Sequence, residues 1–124
     1  MPRTIPSPSP WRTTLARLSL VLAALVWPGG PGTAAAAEPE SLLAIRNHRF
    51  EPADLKVPAN QRVKLIVHNQ DASPEEFESR QLSREKIVPA GAKVSIFIGP
   101  LKPGRYEFWG EYHDATARGV VIAE

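Results

Sequence analysis

The chain has 124 residues, with 15 Lys and Arg, 13 Asp and Glu, three His and a formal net charge of +2 at pH 7. It has no Cys, which excludes disulfides and every thiolate metal site. The basic excess comes from Arg3, Arg12 and Arg17 near the N-terminus, and the remainder carries no basic patch that argues for nucleic acid.

Those three arginines precede an apolar run, Leu18 to Trp27, and a small-residue run, Ala34 to Ala37. A charged n-region, a short h-region and an Ala-x-Ala pattern are the marks of a secretory signal. The apolar run is too short to span a bilayer, which takes ~20 residues. The pattern predicts a cleaved signal peptide over residues 1–37 and one small domain over residues 38–124.

Within that domain the hydrophobic period is two. "LLAIRN" reads as a first strand. "RVKLIVHN" places Val63, Leu65 and Val67 on one face, and Arg62, Lys64 and His68 on the other. "AKVSIFIG" aligns Val94, Ile96 and Ile98. "GRYEFWG" aligns Tyr106 and Phe108, with Trp109 opposite. "GVVIA" reads as a last strand. Such alternation predicts half-buried strands of an antiparallel sheet. The turn signals "EPAD", "VPAN", "NQDASP", "VPAG" and "LKPG" separate the runs. About seven short strands at this spacing predict an all-β, Greek-key β-sandwich. Residues 71–84 are polar and weakly patterned, open to a loop, an irregular strand or a short helix.

Three polar clusters lie at predicted strand ends. They are "NHRFEP" with His48 and Glu51, "PEEFES" with Glu75, Glu76 and Glu78, and "GEYHD" with Glu111, His113 and Asp114. A sandwich gathers its loops at two ends, so distant clusters can meet. Carboxylates with one or two imidazoles suit Fe, Mn, Zn or Cu(II) rather than Cu(I). For any one of these residues simple solvation is the competing reading. Hydrolase and phosphate-binding motifs are absent, so the expectation is a binding protein and not an enzyme.

The order of the pieces resembles the cupredoxin family. "FEPADLKVP" at Phe50 to Pro58, "HNQDASPEE", the "PAG" turn at Pro89 to Gly91, "PGRYEFWG" at Pro103 to Gly110 and the closing Gly119 to Ala123 match its landmarks in order, over nearly all of residues 42–124. Blue copper members use two His, one Cys and often Met. On this register the first His falls near Glu75 or Glu76, the Cys near Gly110 or Glu111, and the Met around Ala117 and Arg118. Only His113 keeps a ligand type.

"DASPEEFES", "SREKIVPAG", "GPLKPG" and "GEYH" are similar to the small periplasmic cupredoxin-like proteins related to the cupredoxin domain of EfeO. That resemblance implies a periplasmic location, an inner-membrane iron permease as partner, and acidic ligands in the region of Glu76 and Glu78. The expected site centres on Glu76, Glu111 and His113, with Glu78, Glu51 and His48 around them, and takes a divalent metal ion, iron or copper. Two alternatives stand beside it. One is a metal-free module that docks on an exported or membrane partner. The other is a thiolate-free copper protein using His48, His113 and carboxylates.

N-terminal sequencing of the exported protein is expected to begin within a few residues of Glu38. A start at Met1 in that fraction would reject cleavage.

Overall fold

The computed structural model describes residues 2–7, 29–30, 32 and 37–124. The apolar run Leu18 to Trp27 and residues 34–36, on which the signal-peptide reading rests, lie outside the described residues. Among the described residues no helix is long and apolar enough to cross a membrane.

The described fold has nine strands: β1 (Glu40–Arg46), β2 (Arg49–Glu51), β3 (Asp54–Val57), β4 (Val63–Asn69), β5 (Glu75–Ser79), β6 (Arg84–Val88), β7 (Lys93–Ile98), β8 (Gly104–Gly110) and β9 (Arg118–Ala123). One 3-10 turn, Glu111–His113, follows β8. The strands form two sheets, ordered β2-β1-β4-β7 and β3-β9-β8-β5-β6. This is the expected β-sandwich, with nine strands in place of about seven. Beyond the five runs read from the alternation there are four short strands: β2 and β3 occupy the segment before Pro58, and β5 and β6 lie in and just after the polar stretch that carried no clear period.

The sheets are mixed, which corrects the expectation of purely antiparallel pairing. β1 runs parallel to β4, and β3 parallel to β9. Period two reports which face of a strand is buried but not the direction of its neighbour. The chain leaves β1, crosses through β2 and β3 to the other sheet, and returns as β4 beside β1.

The alternation sets the core. Leu43 and Ile45 from β1, Val63, Leu65 and Val67 from β4, and Ile96 and Ile98 from β7 face inward from one sheet. Leu55, Val57, Phe77, Val88, Phe108, Val121 and Ala123 face them from the other. Phe50, Phe77 and Phe108 form an aromatic knot, with ring centroids 4.9 to 6.1 Å apart. Gly119 sits opposite Phe108 in the β8–β9 ladder, and a β-carbon there would run into the Phe108 ring. This glycine, the second residue of β9, is thus the floor on which that ring lies. His68 and Trp109 sit on outward faces, as their alternation indicates, and both are half-buried.

Leu65 is fully buried in the middle of β4. Leu65→Ala is expected to cost ~2–5 kcal/mol, whereas Glu76→Ala on the outer face should cost less than about 1 kcal/mol. Denaturant unfolding of the two variants checks this, and equal losses would contradict the assignment of faces.

Candidate metal centre

Three connections meet at one end of the sandwich: the β1–β2 turn, the β4–β5 loop and the β8–β9 connection. The β1–β2 turn is tight, with Asn47 and His48 both at positive φ (51° and 57°). Asp71, from the β4–β5 loop, holds that turn. Its carboxylate accepts the backbone N–H of Asn47 at 2.7 Å and of His48 at 2.9 Å. Burial alone would raise the Asp71 pKa. The two backbone donors, with the charges of His48 and His113, outweigh it and hold the carboxyl below its ordinary value. Thr116 ties the turn to the β8–β9 connection by donating its hydroxyl to the His48 carbonyl at 2.6 Å.

The His48 imidazole stacks on His113, with ring centroids 3.6 Å apart and planes 16° from parallel. His113 Nδ1–H donates to Glu75 Oε2 at 2.6 Å. An ionised carboxylate only accepts, so this bond places a proton on Nδ1 and leaves Nε2 pointing away from Glu75. Glu75 is 1% exposed. Its Oε1 accepts the backbone N–H of both Glu76 and Tyr112, each at 2.9 Å. A buried carboxylate needs such partners, because an unpaired one is costly.

A second constellation occupies the outer face of β5 and β6. Glu78 pairs directly with Glu85 across the ladder, a like-charge opposition that weakens a sheet. Glu76 lies on the same face. Glu111 reaches it from the 3-10 turn, accepting a 2.7 Å hydrogen bond from Trp109 Nε1. The Glu78 carboxyl is raised above its ordinary value, first by lost hydration and then by Glu111, Glu85 and Glu76 around it. Glu85 is raised too, first by the hydrogen bond it shares with Glu76 and then by that residue's charge. The Tyr112 phenol, 46% exposed, is raised by its hydrogen bond to Glu76.

The six expected site residues therefore divide. Glu76, Glu78 and Glu111 share the outer face with Glu85 and Tyr112. His113 and His48 meet at the strand end with Glu75 and Asp71. Glu51 stands apart and exposed, 3.6 Å from Arg46. Glu76 and His113 do not come together, because Glu75 shares the inward face of β5 with Phe77 and Glu76 points outward. Nor do Glu111 and His113 face one side. That expectation needed an extended loop, and in a 3-10 turn, with three residues per turn, residues two apart diverge. Among the described residues no three His, Cys, Asp or Glu side chains are arranged to hold a metal ion. The outer carboxylates meet in pairs.

Glu75, Asp71 and Glu85 are the residues that sequence reasoning left out of the site. Phe77 offered a signal for the first. It is the one large apolar residue of "PEEFES", and period two from an inward Phe77 brings Glu75 and Ser79 inward with it.

The family described as cupredoxin-like domain matches residues 18–123. The chain belongs to that family. Protein RP394 of Rickettsia prowazekii (strain Madrid E), described as uncharacterized, is 45% identical over 83 residues, which cover 67% of this chain and 66% of that protein. The cupredoxin-like chain thus spans just under two thirds of the curated relative it matches. Among solved structures, auracyanin A, a "blue" copper protein of Chloroflexus aurantiacus, superposes with a TM-score of 0.61 at 11% identity, covering 71% of this chain and all of that one. The metal-binding domain of the Cu(I)-exporting P-type ATPase CopA of Streptococcus pneumoniae D39, solved with Cu(I), gives 0.63 at 13% identity, covering 73% and 91%. Amicyanin of Paracoccus versutus gives 0.53 at 15%, covering 74% and 86%. At these identities the likeness is one of fold.

A blue copper centre does not fit these residues. It needs a thiolate, and the chain has no Cys. Gly110 and Ala117 offer no donor, and the oxygens of Glu75 are committed to three protein donors.

The raised Glu78 and Glu85 pKa values carry a definite sign. A carboxyl whose folded pKa exceeds its unfolded one favours folding while protonated. That contribution is complete below the unfolded value and is lost as pH rises through the folded one. Glu85→Gln removes the opposition, so the stability of wild type relative to the variant should fall as pH rises above the ordinary carboxylate range, about pH 4. Denaturant unfolding across that rise measures it, and a constant difference would contradict the mutual repulsion.

Proposed function

We propose that this chain is an exported, periplasmic cation-binding protein that takes up a divalent metal ion on the outer face of β5 and β6 and hands it to an inner-membrane iron permease. The observation that carries the reading is the gathering of Glu76, Glu78, Glu85 and Glu111, with the Tyr112 hydroxyl, on one exposed face. Oxygen donors of this kind suit iron, manganese and other hard or borderline ions. A cation replaces like-charge repulsion with attraction, and an open face built of carboxylate pairs suits release as well as capture. No catalytic role is assigned to it.

A second reading rests on one specific observation. The Glu75–His113 bond leaves His113 Nε2 free as a ligand, and a carboxylate behind a histidine is the usual support of a metal-bound imidazole. Copper(II) or zinc could then sit at His113 and His48 without any thiolate. The stacked rings would first have to separate, since parallel imidazoles do not aim their lone pairs at one point.

Titration of the purified full chain with Fe(II), Mn(II), Zn(II) and Cu(II) decides between them. On the first reading, Glu76→Gln with Glu85→Gln lowers Fe(II) affinity by about tenfold or more, about 1.4 kcal/mol, and His113→Ala leaves it unchanged. The reverse pattern, with affinity falling as pH drops because protons compete with the metal for the imidazole, places the ion on the imidazoles. Absence of binding for every ion favours a metal-free docking module, with the acidic face as its contact surface.

A further inference from the structure

We propose that the Glu75 carboxylate is a built-in replacement for a metal ion: it closes the strand-end chamber of the cupredoxin-like fold to metal and ties β5 to the β8–β9 connection in the ion's stead. The geometry that points there is a competition for one small volume. Gly110 has ordinary extended backbone angles, φ −95° and ψ 111°, so the main chain does not demand a glycine. Space does. A β-carbon on Gly110 would lie 2.5 Å from Glu75 Cδ, 2.8 Å from Glu75 Oε1 and 2.8 Å from Ala117 Cβ. Gly110 is one of the two positions to which the family register brings the thiolate ligand, and a side chain there and the Glu75 carboxylate as it stands compete for the same space.

The carboxylate also makes the connections a metal would make. One oxygen accepts from Tyr112 N–H and the other from His113 Nδ1–H, both in the β8–β9 connection. Glu75 itself belongs to β5. With Glu76 N–H as a further donor, its hydrogen bonds gather the two segments around one buried anionic group. A metal gathers anionic and neutral donors around a buried cation, and here the polarity is inverted: N–H groups surround an anion. The ring that would face a metal presents its protonated nitrogen to Glu75 instead. This inference is independent of the outer-face reading, because it concerns the interior only.

A pair of substitutions tests it. Gly110→Cys alone should lower the melting temperature, and on addition of Co(II), which does not oxidise a thiol, show no intense near-ultraviolet thiolate-to-Co(II) band. Glu75→Ala combined with Gly110→Cys should show that band. Co(II) held by the outer carboxylates gives no such signal, so failure here is distinguishable from failure of the proposed function. A band of equal strength in Gly110→Cys alone, or none in a folded double variant, would overturn the replacement. Should the cysteine pair not fold, Glu75→Ala and Gly110→Ala serve. Each should lower the melting temperature, and the double variant should lose clearly less than the two losses together, with a remainder from Ala117. Additive losses would show that the two side chains do not compete and would also overturn it.

Discussion

The hydrogen bond from His113 to the buried carboxylate of Glu75 is the constraint on which the end of this sandwich depends. A carboxylate with 1% exposure is tolerable only when its oxygens are occupied, and the nearby segments arrange themselves to occupy them. The 3-10 turn brings its amide and its imidazole to Glu75. The imidazole then becomes the platform for His48, and Asp71 fixes the turn from which His48 projects. The histidines lie on either side of one stack, with a carboxylate behind each. Remove the first bond, and His113 and the ring stack lose their anchor, while the β1–β2 turn keeps Asp71 and Thr116.

The two faces of β5 divide the labour. Glu75, Phe77 and Ser79 point inward, where Phe77 joins the aromatic knot and the Ser79 hydroxyl donates to the Glu107 carbonyl at 2.6 Å. Glu76 and Glu78 point outward, where repulsion is moderated by water and relieved by protons or cations. Five residues thus carry a satisfied interior and an unsatisfied exterior. The first is a matter of structure, and the second leaves something for a ligand to do.

Much of the fold was legible in the residues. Alternation around Leu65, Ile96 and Phe108 named the buried faces correctly, because a side chain that alternates has only two directions to choose between. Strand direction was not legible: the parallel pairing of β1 with β4 depends on where the chain crosses between sheets, and no local residue records that. The site was half legible. The clusters around His48, Glu76 and Glu111 do lie near one end. Which members meet turns on a shift of one residue along β5, between Glu75 and Glu76, and a one-residue shift exchanges inside for outside. The 3-10 turn was hidden as well. "EYH" continues the strand's composition, while the bonds that hold the turn come from outside it, from the Glu75 carboxylate and from the backbone N–H groups of Thr116 and Ala117.

The parallel pairing of β3 with β9 sets the order in which the molecule can be completed. Asp54 lies opposite Val120 and Val57 opposite Ala123, so one edge of the five-stranded sheet waits for the last residues of the chain. β9 stands between β3 and β8, and neither can meet the other without it. Closing so long a loop adds little to the equilibrium cost, about 0.6 kcal/mol for each doubling of length, but contacts so distant in sequence form slowly. Until β9 is in place the chain has one sheet nearly whole and the other missing its keystone, so loss of β9 would be felt at β3, far earlier in the sequence.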